Sequence, residues 1–336
     1  MQTGESDTII ASLQLMGLLE AGDRPVLTPL TGGVSADIAM VETRQGLICI
    51  KRALPELKVA QAWLAPQSRG NAEKKWIRLV ANILPKSVPE IIGEDPEHFT
   101  FAMRYLNPAH YKNWKMMLRD GEADIIVAAR VGSLLGRIHE YTAYNENIAA
   151  EFAYDENFKA LRLDPYLEST AQSQPDVAAL LRALITVTAT TKQALVHGDF
   201  SPKNILIGPE GPVILDAECA CYGDPAFDIA FCLNHLFLKS AWKPRYAASY
   251  QLCAQAFWQA YEAELSKLDK KDLEQRVARL LPGLMLARLD GKSPVEYLTD
   301  HNVIERVRRF AKHKLTVAES TVAGLIHAWT REFIEC

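Results

Sequence analysis

The sequence lacks the marks of several large protein classes. Lys and Arg together number 37 against 41 Asp and Glu, a formal net charge of −4. A nucleic-acid binder would be expected to carry a basic excess on some face, and none is advertised here. No apolar run approaches the roughly 20 residues that a spanning helix requires, so no membrane partner is expected. The opening MQTGESDTII has no basic stretch followed by an apolar core, so it does not read as a secretory signal, and a cytoplasmic location is expected. The six cysteines are Cys49, Cys219, Cys221, Cys232, Cys253 and Cys336. None forms a C-x-x-C pair, so zinc-site spacing is absent, and Cys219 and Cys221 read as buried thiols in a reducing compartment. Internal repeats and low-complexity linkers are also missing.

What is present is a chain of 336 residues, 49% hydrophobic and 23% charged, long enough for one large domain or two lobes with a sizeable core. Ile9, Leu13, Leu15, Met16 and Leu19 predict a helical face over 6–20. From Val26 the pattern turns β-like: strand, glycine loop, strand, a turn at Gln45-Gly46, strand. Trp76, Leu79, Val80 and Ile83 share a face of a helix over 70–83, ended by Pro85 and Pro89. Two strands fit 90–93 and 99–105. Beyond residue 112 the chain reads as mainly helical. Ile126, Val127, Val131, Leu134, Leu135, Ile138 and Tyr141 line a helix near 122–142, and another fits 175–192. Helices resume at about 225 and run to the end, where the helix near 318–333 reads as core. This order predicts an α+β, bilobal architecture: a small antiparallel-sheet N-lobe over 1–106 and a larger, mostly α-helical C-lobe over 107–336.

One stretch interrupts the helices, HGDFSPKNILIGPEGPVILD at 197–216. It sets His197, Asp199 and Asn204 in one tight loop, then an apolar strand that ends on Asp216. A carboxylate to accept a hydroxyl proton, with an amide and a second carboxylate to hold magnesium, is the equipment of phosphoryl transfer from ATP. The His-x-Asp-x-x-x-x-Asn spacing matches the kinase catalytic loop. Asp199 is the candidate base, taking its proton late in a loose transition state. Asn204 and Asp216 are hard oxygen donors suited to Mg2+. His197 reads as a shaper of the loop, and Lys203 as a solvated loop lysine. Glu218 lies on the same side of an extended backbone as Asp216 and offers a second metal carboxylate or an acceptor contact.

Lys51 ends an apolar strand, from which an ammonium can reach nucleotide phosphates, with Glu73 the candidate counter-ion. Gly32, Gly33 and Ser35 lie in a loop one hairpin earlier, where backbone N–H groups can approach phosphates closely. Asp290-Gly291-Lys292-Ser293 ends like a phosphate loop, but the glycine required earlier is replaced by Leu286, so it reads as a turn, the alternative being that Arg288, Asp290 or Lys292 faces the acceptor pocket. In YGDPAFDIAF, Asp224 is placed to cap a helix opened by Pro225. Asp228 is placed to accept N–H bonds from the catalytic loop.

Together GGVSAD, CIKRAL, HGDFSPKNIL and LDAECACYGDPAFDIAF resemble the aminoglycoside phosphotransferase and choline kinase superfamily, from about residue 26 to 240. The resemblance implies a protein-kinase-like fold, Asp199 as base, Asn204 and Asp216 on magnesium, and Lys51 on the ATP phosphates. It implies a hinge at FAMRYL, with the Arg104, Tyr105 and Leu106 backbone near adenine. Asp216-x-Glu218 departs from the Asp-Phe-Gly of protein kinases and looks more like methylthioribose kinase and choline kinase. No Ala-Pro-Glu element follows. The implied activity is ATP- and Mg-dependent transfer of the γ-phosphoryl group to a hydroxyl of a small aminoglycoside-, choline- or sugar-like metabolite. The alternatives are a non-catalytic nucleotide-binding scaffold on the same fold, or a protein kinase. Glu151, Asp155, Glu168, Glu218, Trp242, Tyr246 and Trp258 are candidate walls for a cationic acceptor; a neutral sugar would use similar groups. Oligomeric state is not legible.

Overall fold

The computed structural model describes residues 3–30, 36–54 and 69–334. The chain divides into two compact units, 1–111 with 213–218, and 112–212 with 219–336. The first unit therefore takes in 107–111 and also six residues from far along the chain.

In the first unit, strands β1 (Leu27–Pro29), β2 (Ala36–Thr43), β3 (Gly46–Ala53), β4 (Ile91–Asp95) and β5 (Thr100–Arg104) form one antiparallel sheet in the order β1-β2-β3-β5-β4. The turn between β2 and β3 falls at Arg44-Gln45, one residue earlier than its Gln-Gly signal, because Gly46 (φ 102°) already opens β3. The two-residue period of β3 decides what each face does. Ile48 and Ile50 point to one face, where they join Ala39, Val41 and Ala102 under Ile9 and Leu13 of helix Thr3–Leu15. Cys49 and Lys51 point to the other. The helix is shorter than 6–20 predicts at its C-terminal end. Leu15 is 70% exposed, so it does not share the buried face expected of it. Helix Arg69–Ile83 buries Ala72, Glu73, Trp76, Ile77 and Val80.

The second unit is built on the long helices Ile125–Thr142, Ala226–Trp242, Ala247–Ala263 and Lys270–Asp290. Helix 125–142 opens on Asp124, whose carboxylate accepts the Ile126 N–H at 2.7 Å. Its buried stripe runs through Ala128, Val131, Leu135, Ile138 and Thr142. Tyr141 falls at the edge of that stripe and Ile126 opposite it, and both are exposed, against expectation. A Cβ on Gly132 would lie 2.1 Å from the Phe257 carbonyl oxygen, and one on Gly136 would lie 2.7 Å from that of Tyr261. Helices 125–142 and 247–263 thus touch backbone to backbone. Helix 226–242 is buried along most of its length and forms the centre of the unit. The C-terminal helix Val322–Phe333 packs Trp329 against Phe237 and Phe310, and the Trp329 indole N–H donates to Ser240 Oγ at 2.7 Å. This helix is core, as its periodicity predicts. Among the described residues no helix is long and apolar enough to cross a membrane, and the five described cysteines are buried free thiols.

Candidate active site

In the first unit, Lys51 is 4% exposed on the sheet face opposite the Ile48/Ile50 core. Its ammonium lies 2.8 Å from Glu73 Oε1 and 2.5 Å from Asp216 Oδ1. Burial lowers the Lys51 pKa, but the charges of Asp216, Glu73 and Glu218 outweigh it and hold the pKa well above the usual lysine range. Burial pushes the Glu73 carboxyl up to about 7, against the pull of Lys51. The Glu73 partnership expected from helix 69–83 is therefore formed. Asp216 has a φ of 66°, a left-handed conformation that costs a non-glycine residue on the order of 1–3 kcal/mol and is held in place by the ion pair. Glu218, expected as a second metal carboxylate or an acceptor contact, accepts from Arg69 Nε at 3.0 Å, while Arg69 also donates to the Leu54 carbonyl at 2.6 Å. Arg69 is wholly buried, and no motif pointed to it.

Arg104 donates to the Glu90 carboxylate at the exposed edge of the sheet. The Tyr105 N–H donates weakly to Leu47 at 3.4 Å. Leu106 follows in irregular chain, where the Arg104–Leu106 hinge was expected. Gly32, Gly33 and Ser35 lie outside the described residues.

In the second unit, strand Ala194–Val196 pairs antiparallel with Cys221–Gly223 and delivers the chain to His197. The next two amides turn onto one buried carboxylate. The His197 N–H donates to Asp228 at 2.6 Å and the Gly198 N–H at 2.8 Å. Asp228 sits in the first turn of helix 226–242 and is wholly buried, with His139 Nε2 3.4 Å away. Gly198 has φ 77°, and a Cβ there would lie 2.5 Å from the Cys219 carbonyl oxygen, so glycine is required on both counts. His197 Nδ1 accepts the Asp199 N–H at 3.1 Å, which is the shaping role expected of it. Asp224 accepts the Ala226 N–H at 3.0 Å at the entry of helix 226–242 and pairs with Arg276.

The Asp199 carboxylate is 3% exposed. Arg162 Nη2 and Lys203 Nζ each lie 2.9 Å from its Oδ2. Lys203 is thus the exposed loop lysine expected, and it also pairs with the Asp199 carboxylate. Arg162 comes from the π-helix Lys159–Glu168 and also donates to the Gly198 carbonyl at 2.5 Å, so it braces both the loop and its carboxylate. Asn204 closes a 3-10 turn and donates from its amide nitrogen to the Asp199 carbonyl at 3.0 Å, which leaves the amide oxygen as the atom available to a cation. Strands Ile205–Gly208 and Gly211–Ile214 follow, joined by a two-residue turn, and lead to Asp216.

Asn204 and Asp216 are oxygen donors of the kind magnesium takes. Among the described residues no three or more His, Cys, Asp or Glu side chains gather into a metal cage of their own.

The sheet unit with its buried lysine, followed by a helical unit with an Asp-bearing loop, defines a kinase-like fold. The profile of the Phosphotransferase enzyme family matches residues 26–287, and the chain belongs to that family. Methylthioribose kinase 1 of Oryza sativa subsp. japonica is 24% identical over 229 residues, 60% of this chain and 53% of that one. The chain spans a little over half the length of the first such relatives. Among solved structures, an amicoumacin kinase aligns at a TM-score of 0.54 and 14% identity, covering 95% of each chain. A choline kinase from Streptococcus pneumoniae aligns at 0.51 and 14%, covering 94% of this chain and 100% of that one. These likenesses concern the fold.

Proposed function

We propose that the protein is an ATP- and magnesium-dependent kinase that phosphorylates a hydroxyl of a small molecule. The observation that carries the reading is the buried Lys51 ammonium shared by Glu73 and Asp216, an arrangement suited to receiving phosphate oxygens. Family membership and the Asp199 loop agree with it. Lys51 binds the nucleotide phosphates, and Glu73 keeps the lysine extended. Arg69 holds Glu218 beside the strand end, which makes Glu218 a positioning group for Asp216. The Arg104–Leu106 backbone and the Gly32, Gly33 and Ser35 loop complete the nucleotide contacts in this proposal. Asn204 and Asp216 hold Mg2+, which supplies charge neutralisation on the phosphates.

Asp199 orients the acceptor hydroxyl. As the acceptor oxygen bonds to the γ-phosphorus, the bond from that phosphorus to the bridging oxygen breaks, ADP leaves, and the hydroxyl proton passes to the Asp199 carboxylate. Arg162 and Lys203 fix that carboxylate, and Asp228 fixes the loop beneath it. With Mg-ATP and a library of hydroxylated metabolites, Asp199→Ala should lose at least about 100-fold in turnover, the scale of a general base. It should still bind Mg-ATP in a thermal-shift titration. An Asp199→Ala protein at full rate would overturn the assignment.

A further inference from the structure

The residues around Asp199 in the second unit carry an excess of positive charge. Arg162 and Lys203 both reach Asp199 Oδ2. From there an aromatic path leads along helix 226–242. The Arg162 guanidinium lies 5.7 Å from the Tyr166 ring and 6.0 Å from Phe231. The Arg288 guanidinium also lies 5.7 Å from the Tyr166 ring, and Phe231 packs edge-on to His235 at 5.6 Å. Lys239 follows four residues later on the same helix face, about 12 Å along the axis from Phe231.

Two of these cations, Lys239 and Arg288, have no carboxylate within ion-pair distance among the described residues, although the Glu296 charge acts on both. Lys239 is 1% exposed, yet its ammonium has no carboxylate partner and no hydrogen-bond acceptor among the described residues. It lies 4.4 Å over the Tyr297 ring and 5.6 Å from Trp242. Arg288 is 8% exposed and donates to Ser293 and, at 3.4 Å, to the Tyr166 hydroxyl, but meets no carboxylate, and its Nε is unpartnered. The buried Tyr297 hydroxyl beside Lys239 is also unpartnered. The acids nearby are already committed: Asp199 to Arg162 and Lys203, and Glu296 to Lys115 at 2.5 Å. The charges of Arg288, Lys239, Lys203 and Lys115, together with burial, all drive His235 toward its neutral form, which places them around one side chain. Burying an ammonium without an anion is costly, and a fold keeps such a group where a ligand supplies the missing charge.

We infer that the phosphate acceptor is itself an anion, a hydroxylated compound bearing a carboxylate or phosphate group that is held by Lys239 and Arg288. This inference rests on the kinase reading and narrows it. It turns away from the cationic acceptors suggested by Glu151, Asp155, Glu168 and Glu218. Asp155 pairs with Lys192, Glu168 with Arg182, Glu218 with Arg69, and Glu151 is exposed.

A matched series tests it, because glucose, gluconate, glucose 6-phosphate and glucosamine share a skeleton and differ in charge. Binding to the full chain with Mg-ADP present would be measured by calorimetry. At least one of the two anions should bind tenfold or more tightly than glucose and glucosamine, and which of them binds separates carboxylate from phosphate. Lys239→Met should remove that preference and leave glucose unchanged, with Lys239→Gln as the second variant should the first fail to fold. Equal binding across the series, no binding of any member, tighter binding of glucosamine, or a preference that survives both variants would overturn the inference. Thermal stabilisation by Mg-ATP, scored separately, shows whether the kinase reading stands when the charge preference does not.

Discussion

At the scale of single residues, two buried groups define what can be tested. Asp228 spends its carboxylate on the amides of His197 and Gly198, so its charge serves the loop and not the reaction. Asp228→Asn keeps the shape but places an NH2 or a neutral oxygen against two donors. We expect a loss of about 1–3 kcal/mol in stability, the cost of a buried donor left unmatched. The fall in kcat should exceed any change in KM for ATP. Urea unfolding and steady-state kinetics on one preparation check both. Lys239 gives a pH signature. Burial lowers its pKa from 10.5 to about 8, so between these values the unfolded chain binds more protons than the folded one. Its penalty is therefore full below about pH 8 and fades as the pH rises toward 10.5, with a total on the order of 3 kcal/mol. Lys239→Met should be more stable than the parent at pH 7, with the gap closing as pH rises, measured as the difference in unfolding midpoint. A gap independent of pH would show that the ammonium carries no burial cost.

The residue scale is also where the sequence was most and least legible. The spacing of His197, Asp199, Asn204 and Asp228 is local, so the loop and its clamp could be read from a few turns of chain. Arg69, Arg162 and Lys239 could not. Each sits in a segment without a motif, and only long-range packing brings them onto carboxylates or aromatic rings. Lys203 was legible as an exposed loop lysine, but not its ion pair with the Asp199 carboxylate four residues away.

At the scale of elements, periodicity predicted which helices and strands exist but not the margins of their buried stripes. Leu15, Ile126 and Tyr141 are apolar residues that the helices leave in water. The contact of helix 125–142 with helix 247–263 is the converse case, because small residues rather than large ones set it. A methyl group on Gly132 would strike the Phe257 carbonyl oxygen, and a helix backbone cannot yield as a side-chain tip does. Gly132→Ala should therefore destabilise by about 1–3 kcal/mol, despite the better helix propensity of alanine. Gly132→Val should be worse, and thermal unfolding orders the three proteins. If alanine proves neutral, the two backbones are not in contact as described.

At the scale of the whole molecule, the kinase reading predicts linkage between ligand and stability. Mg-ATP at 100 times its dissociation constant should add about 2.7 kcal/mol to unfolding, and EDTA should remove most of it. Lys51→Met should abolish the effect at the same concentration. The bilobal order of sheet first and helices second was legible from strand and helix periods alone. The return of 213–218 to the first unit was not, because it rests on contacts far apart in the chain: Lys51 with Asp216, Arg69 with Glu218, and the Ile214 N–H on the Ser87 carbonyl. That return has a consequence during synthesis. At roughly 5–20 residues per second, a ribosome makes Asp216 on the order of ten seconds after Lys51. Until then the nascent sheet unit has only Glu73 to answer its buried ammonium. The N-terminal segment cannot reach its finished form as it emerges, and a gene fragment ending at Tyr111 would encode all five strands of the sheet without Asp216 and Glu218, the carboxylates that answer Lys51 and Arg69.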